Sequence, residues 1–327
     1  MSWQALAPAV AFAAAAGVIA LLTRHARRLP QSSPNARTLH DGSIPRAGGV
    51  AILAGALIGV LVAPPALAGA AGGWLLAITA VAAVSFADDV RGVPVVIRLG
   101  VQGLAALVVA AQLMVLPASL PLAIAIAIGI AWGANLFNFM DGSDGLAASM
   151  AIVGFASYAV AAAVAGAPWG AYAAIAAAVI PFLVVNRPRA SMFMGDVGAV
   201  TLGFAAAALG VAGSIGGSWP AWFPLLVFMP FVADATVTLA LRALRGEPVW
   251  RAHRSHFYQR LNTLGAGHRG TLAIYVAAML ACSTFALACL TLAPGQGFAA
   301  LAIAAAAHAC GFALIDYHCR RQKGAGL

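Results

Sequence analysis

Charge is what this chain has least of. Charged residues make up 8% of its 327 positions, and only nine are acidic, whereas soluble domains carry roughly a quarter charged residues. A surface facing water on every side cannot be assembled from that supply, which excludes a soluble globular protein. Lysine is nearly missing, with Lys323 the single one beside seventeen arginines. The four cysteines, Cys282, Cys289, Cys310 and Cys319, show no C-x-x-C or metal-ligand spacing, and three lie in apolar segments. There a thiol behaves as a small hydrophobe, so a disulfide framework is not expected. No Walker A sequence occurs, no repeat recurs at a fixed period, and no stretch outside the apolar segments exceeds about thirty residues, which excludes a separate nucleotide-binding domain. Any nucleotide must bind on the loops themselves.

Apolar side chains are abundant, at 63% of the chain. Runs interrupted by Pro, Gly and charge lie near 3–22, 48–64, 73–87, 99–115, 120–137, 146–165, 168–185, 197–215, 220–241, 271–292 and 297–315. Divided by the ~20 residues that cross a bilayer as helix, the chain reads as an all-α, polytopic transmembrane helical bundle of about eleven spans. The stretch Trp3–Leu22 has no basic region before it and is too long for a signal-peptide core, so it reads as a retained first span. Segments rich in Ala and Gly, such as Ala156–Ala165 and Ala205–Gly213, let helix backbones approach closely.

Placing residues 23–47, 88–98, 138–145, 186–196 and 242–270 and the tail 316–327 on one face collects all eighteen Lys and Arg residues there. That is the positive-inside pattern, and it sets the amino terminus outside and the carboxyl terminus inside. The opposite connections, such as Ala63–Gly72, Pro117–Ser119, Gly166–Pro168 and Gly216–Trp219, carry no charge. Every acid but Asp234 falls on the cationic face, so one side of the bundle offers both cation and anion sites. A phosphorylated substrate with a divalent metal suits that combination.

Five of the nine acids form three short runs. Asp88-Asp89 ends the third apolar segment beside Arg91; adjacent helical residues diverge by ~100°, so both grip one ion only if the helix stops there. Asn135, Asn138 and Asp141 are three residues apart and share a helical face, after which Gly142 and Gly145 flank Asp144. That run lacks the order of a calcium loop. In Asn186-Arg187-Pro-Arg189-Ala-Ser-Met-Phe193-Met-Gly195-Asp196, cations precede an aromatic able to stack on a base, and Asp196 opens a helix as cap or metal ligand. Arg251-Ala-His253-Arg254-Ser-His256, continuing to Arg260, makes an anion site; Arg254 stands where H-E-x-x-H needs Glu, which disfavours zinc. A further Arg and His segment, Asn35-Ala-Arg37-Thr-Leu-His40-Asp41, leads to Pro45-Arg46-Ala-Gly48-Gly49, and Asp234 is a lone carboxylate within a span.

In this order the motifs Pro45-Arg-Ala-Gly-Gly49, Asp88-Asp89, Asn138-Phe-Met-Asp-Gly-Ser-Asp-Gly145 and Met194-Gly-Asp-Val-Gly198 resemble the polyprenyl-phosphate N-acetylhexosamine-1-phosphate transferase family, which includes MraY and WecA. The resemblance runs from Asn35 to about Arg260 and implies one integral-membrane catalytic domain over 1–327 in a bacterial inner membrane, with its site on the cytoplasmic face. It implies transfer of a sugar 1-phosphate from a UDP-N-acetylhexosamine to polyprenyl (undecaprenyl) phosphate, releasing UMP, with Mg²⁺ as cofactor and Mn²⁺ as an alternative. Nucleic acid is not a partner, and a homodimer is compatible with it. Carried over by position, Asp88, Asp89 and Asp196 are the catalytic residues, with Asp196 and Asp88 as metal ligands and Asp88 and Asp89 beside the lipid phosphate. Asn138, Asp141, Asp144, Asn186 and Phe193 line the nucleotide and sugar side, while His253, Arg254, His256, Arg46 and Arg98 contact phosphate. The His253-Arg-Ser-His256 spacing and the eleventh span favour the WecA-like branch, which starts O-antigen or other envelope glycans, with GlcNAc or a 6-deoxy HexNAc as the sugar.

Three rivals remain. The peptidoglycan branch would transfer phospho-MurNAc-pentapeptide. A secondary transporter would place its carboxylates near the bilayer midplane rather than at span ends. A CDP-alcohol phosphotransferase would need D-G-x₂-A-R where Asp141-Gly-Ser-Asp-Gly stands.

Overall fold

The computed structural model describes residues 2–32, 44–65, 71–113, 120–249 and 253–325. Arg37, His40, Asp41, Arg251 and the connection Pro117–Ser119 lie outside them. Helix follows the apolar runs: α1 Trp3–Arg24, α2 Gly48–Val62, α3 Ala71–Arg91, α4 Val95–Leu113, α5 Leu120–Met140, α6 Leu146–Val164, α7 Gly170–Asn186, α8 Asp196–Ile215, α9 Trp222–Val227, α10 Met229–Leu244, α11 Phe257–Leu261, α12 Gly267–Leu292 and α13 Gly297–Ala325. The sole sheet among the described residues is a two-residue antiparallel ribbon, β1 Gln31–Ser32 with β2 Ile44–Pro45. Eight helices are long and apolar enough to cross a membrane, and α2 and α7 are shorter apolar helices of 15 and 17 residues. The chain is an all-α polytopic membrane protein.

Over the described residues the apolar runs fall on helices, but the ninth, 220–241, is not one rod. It breaks at Phe228 into α9 and α10. Pro220, Pro224 and Pro230 each lack a backbone N–H, and Pro230 sits at the first turn of α10, where a missing donor leaves no bond unmade. Helices also run past the apolar limits at the charged face. Thus α3 includes Asp88 and Asp89, α5 reaches Met140, and α4 begins early enough to carry Arg98. These extensions turn expected loop residues into helix-end residues with defined directions.

Helices α6, α7 and α8 are apolar on all faces and form the interior, as such helices must. α8 is the axis, packed by α2, α3, α5 and α6, while α1, α2 and α7 form one flank and α12, α13 and α9 the other. Outward-facing Leu21, Val96, Leu104, Ile303 and Leu314 leave an apolar exterior suited to lipid.

Small residues decide the closest approach. Gly48 N–H donates to Phe193 O at 3.0 Å, Gly49 N–H to Met194 O at 2.8 Å, and Phe193 N–H to Pro45 O at 2.8 Å. The two glycine-containing motifs therefore lie against each other, and a Cβ on either Gly49 or Gly198 would overlap the other's backbone. Gly198→Val should lower stability by at least about 1–3 kcal/mol through overpacking. The check is the thermal midpoint of the detergent-solubilised protein by size-exclusion chromatography; an unchanged midpoint would show that α2 and α8 need no such contact.

Candidate active site

The ends of α3, α5 and α7 and the starts of α2, α4, α8 and α12 meet at one end of the bundle, and the clustered carboxylates meet with them. α8 begins at Gly195, whose φ of 76° is glycine territory and whose Cβ, if present, would lie 2.7 Å from Asp89 Oδ2. With no side chain at its cap, the helix takes one from α3. Asp89 Oδ1 accepts Asp196 N–H and Asp89 Oδ2 accepts Val197 N–H, both at 2.9 Å. A carboxylate there meets the orphan donors and the positive end of the helix dipole together. The cap position that the sequence allowed for Asp196 is thus filled by Asp89.

Asp196 is left with its side chain directed at the cleft. Its Oδ2 accepts Arg98 Nη1–H at 2.9 Å and Asn138 Nδ2–H at 3.3 Å. The same Arg98 nitrogen pairs with Asp88 Oδ2, and Asp88 Oδ1 accepts Val93 N–H at 2.6 Å. Asp88 and Asp196 therefore aim one oxygen each at a single cationic point, with 15% and 21% of their side chains still exposed. Arg98 Nε is buried with no hydrogen-bond partner among the described residues. Asp88 and Asp89, adjacent on α3, face different partners, as their ~100° divergence requires.

Asp141, just past α5, has no hydrogen bond to its carboxylate among the described residues. Burial pushes its carboxyl well above the usual range, and Asp196, Asp89 and Asp144 push it further, against the pull of Arg46. This crowd of acids calls for a cation. Among the described residues no three His, Cys, Asp or Glu side chains converge as a ready-made metal site. Two carboxylate oxygens do converge, in a partly open cleft, and they are hard donors of the kind Mg²⁺ takes alongside water and substrate phosphates. The donor set fits such an ion.

Other residues expected in the site hold its walls. Asn186 is buried; its Oδ1 accepts Gly145 N–H and its Nδ2–H donates to Met192 O, both at 2.9 Å, tying the two loops together. Asp144 Oδ2 accepts Arg189 N–H at 3.1 Å and Ala190 N–H at 3.2 Å. Phe193 is half-buried, bridged to Arg46 by backbone pairing. Asn135, expected on the face of Asn138, instead donates to Gln102 Oε1 at 2.7 Å and Ala131 O at 2.8 Å, inside the bundle.

The histidine loop is built on Asp234. This fully buried carboxylate accepts Phe257 N–H and Tyr258 N–H at 2.9 Å, the Thr238 hydroxyl at 3.1 Å and the Tyr275 hydroxyl, and lies 3.2 Å from His256 Nδ1. His256 is buried between the Phe139 and Tyr258 rings. Of the three residues of this loop expected to contact phosphate, His256 is thus buried, His253 half-buried and Arg254 exposed. Sequence reasoning missed His268, whose Nδ1 lies 3.3 Å from both Ser143 Oγ and the Asp144 amide nitrogen. It also missed the pairing of Arg260 with Asp316. A lone histidine at a helix start carries no spacing signal.

Residues 71–214, which hold Asp88 through Asp196, match Glycosyl transferase family 4. A protein of Bacillus subtilis (strain 168) named as a probable undecaprenyl-phosphate N-acetylglucosaminyl 1-phosphate transferase is 27% identical over 268 residues, 74% of this chain and 73% of its own. Phospho-N-acetylmuramoyl-pentapeptide-transferases align over less. That of Geobacillus thermodenitrificans is 42% identical over 87 residues, 24% of this chain and 25% of its own, and that of Halalkalibacterium halodurans 36% over 100 residues, 28% of each. The family resemblance read from the motifs is borne out.

If Asp89 caps α8, Asp89→Ala should uncap two amides and loosen that end by about 1–2 kcal/mol. Amide exchange at Asp196 and Val197 should then quicken roughly five- to thirty-fold, the equivalent ratio. Asp88→Ala should leave it unchanged. Hydrogen–deuterium exchange of the two variants checks this, and equal behaviour would dismiss the division of labour between the neighbours.

Proposed function

We propose that this chain, a relative of glycosyl transferase family 4 over residues 71–214, transfers HexNAc 1-phosphate from a UDP-N-acetylhexosamine to a polyprenyl phosphate such as undecaprenyl phosphate and releases UMP. One observation carries the reading. Within the matched segment, Asp88, Asp196, Arg98 and Asn138 from four different helices converge on one charged point at the end of an apolar bundle. A lipid phosphate and a nucleotide diphosphate can meet there without either leaving its own phase.

The reaction asks for charge neutralisation and alignment rather than proton transfer. A phosphate monoester is largely ionised near neutral pH. One of its oxygens attacks the β-phosphorus; a new P–O bond forms as the bond from that phosphorus to the bridging oxygen breaks, and its electron pair leaves with UMP. No base is needed. Mg²⁺, or Mn²⁺ in its place, held by Asp196 and Asp88 would supply the positive charge that a diphosphate in a partly dry cleft requires. Arg98 shares this task through donors it can turn from the carboxylates to phosphate oxygens. Arg46 offsets the acids around Asp141, and Asn138 orients Asp196. Asp141, Phe193, His253 and Arg254 line the donor side. Asp89, Asp144 and Asn186 position the loops and take no direct part.

The whole chain acts as one membrane domain of about eleven spans, with α9 and α10 together making one broken span. Its amino terminus is outside, its carboxyl terminus and site face the cytoplasm, and the cationic side supports that orientation. The sugar is GlcNAc or a related HexNAc, starting an O-antigen or comparable envelope glycan; the name and 74% coverage of the Bacillus relative support this branch. The higher identity of the short pentapeptide-transferase alignments favours a second reading, transfer of phospho-MurNAc-pentapeptide.

A panel of UDP-HexNAc donors and UDP-MurNAc-pentapeptide, assayed for UMP release with polyprenyl phosphate and Mg²⁺, separates the two. UMP release from UDP-GlcNAc that requires both additions is expected; release only from the pentapeptide donor would reverse the branch, and none from any donor would sink the transferase. Asp196→Asn should reduce turnover by at least about 100-fold, the scale of losing a main electrostatic group. Near-normal turnover in that variant would remove Asp196 from the site.

A further inference from the structure

Away from the carboxylate cluster, the ends of α7 and α12 enclose a groove of about 810 Å³. Its polar rim is made by Arg187, Arg189, Arg269 and Ser191, all exposed. Among the described residues none of the three arginines pairs with a carboxylate. Below the rim the wall is apolar. On α12, Arg269 is followed at helical spacing by Leu272 and Val276, one stripe descending from the charged end into the bundle. On α7, Val184 lines the opposite side one turn before Arg187.

The rim is held in shape. Arg189 has a φ of 71°, rare for a residue with a side chain, and the Asp144 carboxylate fixes it there through the Arg189 and Ala190 amides. Asn186 fixes the residue before the segment through Gly145 and Met192. A preformed rim with three cations and no acid among its lining residues, above an apolar wall between two membrane helices, matches one shape of ligand. That ligand is a phosphate head with a hydrocarbon chain beneath it. A free anion leaves the apolar stripe unused, and a neutral lipid leaves three guanidiniums uncompensated.

We infer that the α7–α12 groove is a binding site for an anionic phospholipid, its phosphate on Arg187, Arg189 and Arg269 and an acyl chain along Leu272 and Val276. The basis is the charge complementarity of the rim, since basic pockets between membrane helices select anionic head groups. The inference is independent of the transferase reading, because its test reads lipid retention rather than turnover.

The full chain, delipidated in detergent, is offered equal phosphatidylglycerol and phosphatidylcholine, and bound lipid is counted by native mass spectrometry. Phosphatidylglycerol should be retained in preference, with about a fivefold loss for each arginine removed. Arg187→Gln/Arg189→Gln/Arg269→Gln should fall to the phosphatidylcholine level while keeping its elution volume. Should that variant misfold, Arg269→Gln alone, on an exposed helix face, should still show the single-step loss. Equal retention of the two lipids, or a preference unchanged in the arginine variants, overturns the site. Displacement by inorganic phosphate would make it a free-anion site, and displacement by equimolar polyprenyl phosphate would make it an acceptor site; either result also overturns the inference.

Discussion

Two backbone amides decide the geometry of the charged end. α8 starts without a side-chain cap of its own, and the carboxylate of Asp89 on α3 accepts both Asp196 N–H and Val197 N–H. This ties the end of one helix to the start of another across more than a hundred residues of chain. Once the tie is made, Asp88 must point elsewhere, because its neighbour's direction is set and the helix turns ~100° per residue. It meets Arg98, which in turn meets Asp196. The cleft is therefore a consequence of capping: one acid gives its oxygens to structure so that two others can face a common point.

The same device recurs where the chain must hold an irregular segment beside a membrane. Asp144 accepts two amides of the Arg189 turn, and Asp234 accepts two amides at the start of α11 as well as two hydroxyls. Backbone donors in poorly hydrated surroundings require partners. A carboxylate satisfies two at once and is stabilised by the dipole of the helix it caps. In a chain with nine acids, three used this way leave few for chemistry. That scarcity is the physical reason Asp88, Asp196 and Asp141 stand out: none of them gives both carboxylate oxygens to backbone amides, and Asp88 and Asp196 each turn one to Arg98.

Element positions were legible because a bilayer demands long apolar runs, and over the described residues those runs fall on helices. The break at Phe228 was written in Pro220, Pro224 and Pro230, yet an apolar run with prolines still reads as one span, since neighbouring helices can satisfy the freed carbonyls. Helix ends at the charged face were less legible, because hydropathy stops where charge begins while the backbone bonds continue for another turn. Clustering of the acids and their common face could be read from order and charge alone. The partner of each oxygen could not. Nothing in the string of residues distinguishes Asp89 from Asp88, and Asn135 and Asn138 share a helical face yet go to Gln102 and Asp196. Those choices are made by long-range packing, set in part by Gly49 against Gly198.

Counting cations on one face treats all of them as topological markers, and their surroundings divide them. Arg98 lies among carboxylates, and Arg46 is close enough to pull on Asp141. Arg242 and Arg260 are tied to Glu247 and Asp316 within the flank that carries α11. Among the described residues the guanidiniums of Arg187, Arg189 and Arg269 pair with no carboxylate, Asp144 meeting only the Arg189 and Ala190 amides, and the three border a groove with an apolar wall. A positive-inside bias requires only that arginines be on the correct side. It does not require that some be paired and others be grouped without counter-charge. Guanidiniums grouped at the end of an apolar surface repel one another; water and salt screen part of that repulsion, and a bound anion would relieve more of it. Arg98, Arg242 and Arg260 are thus tied to carboxylates of the chain itself, whereas Arg187, Arg189 and Arg269 combine the lack of such a pair among the described residues with a place on the rim of a groove.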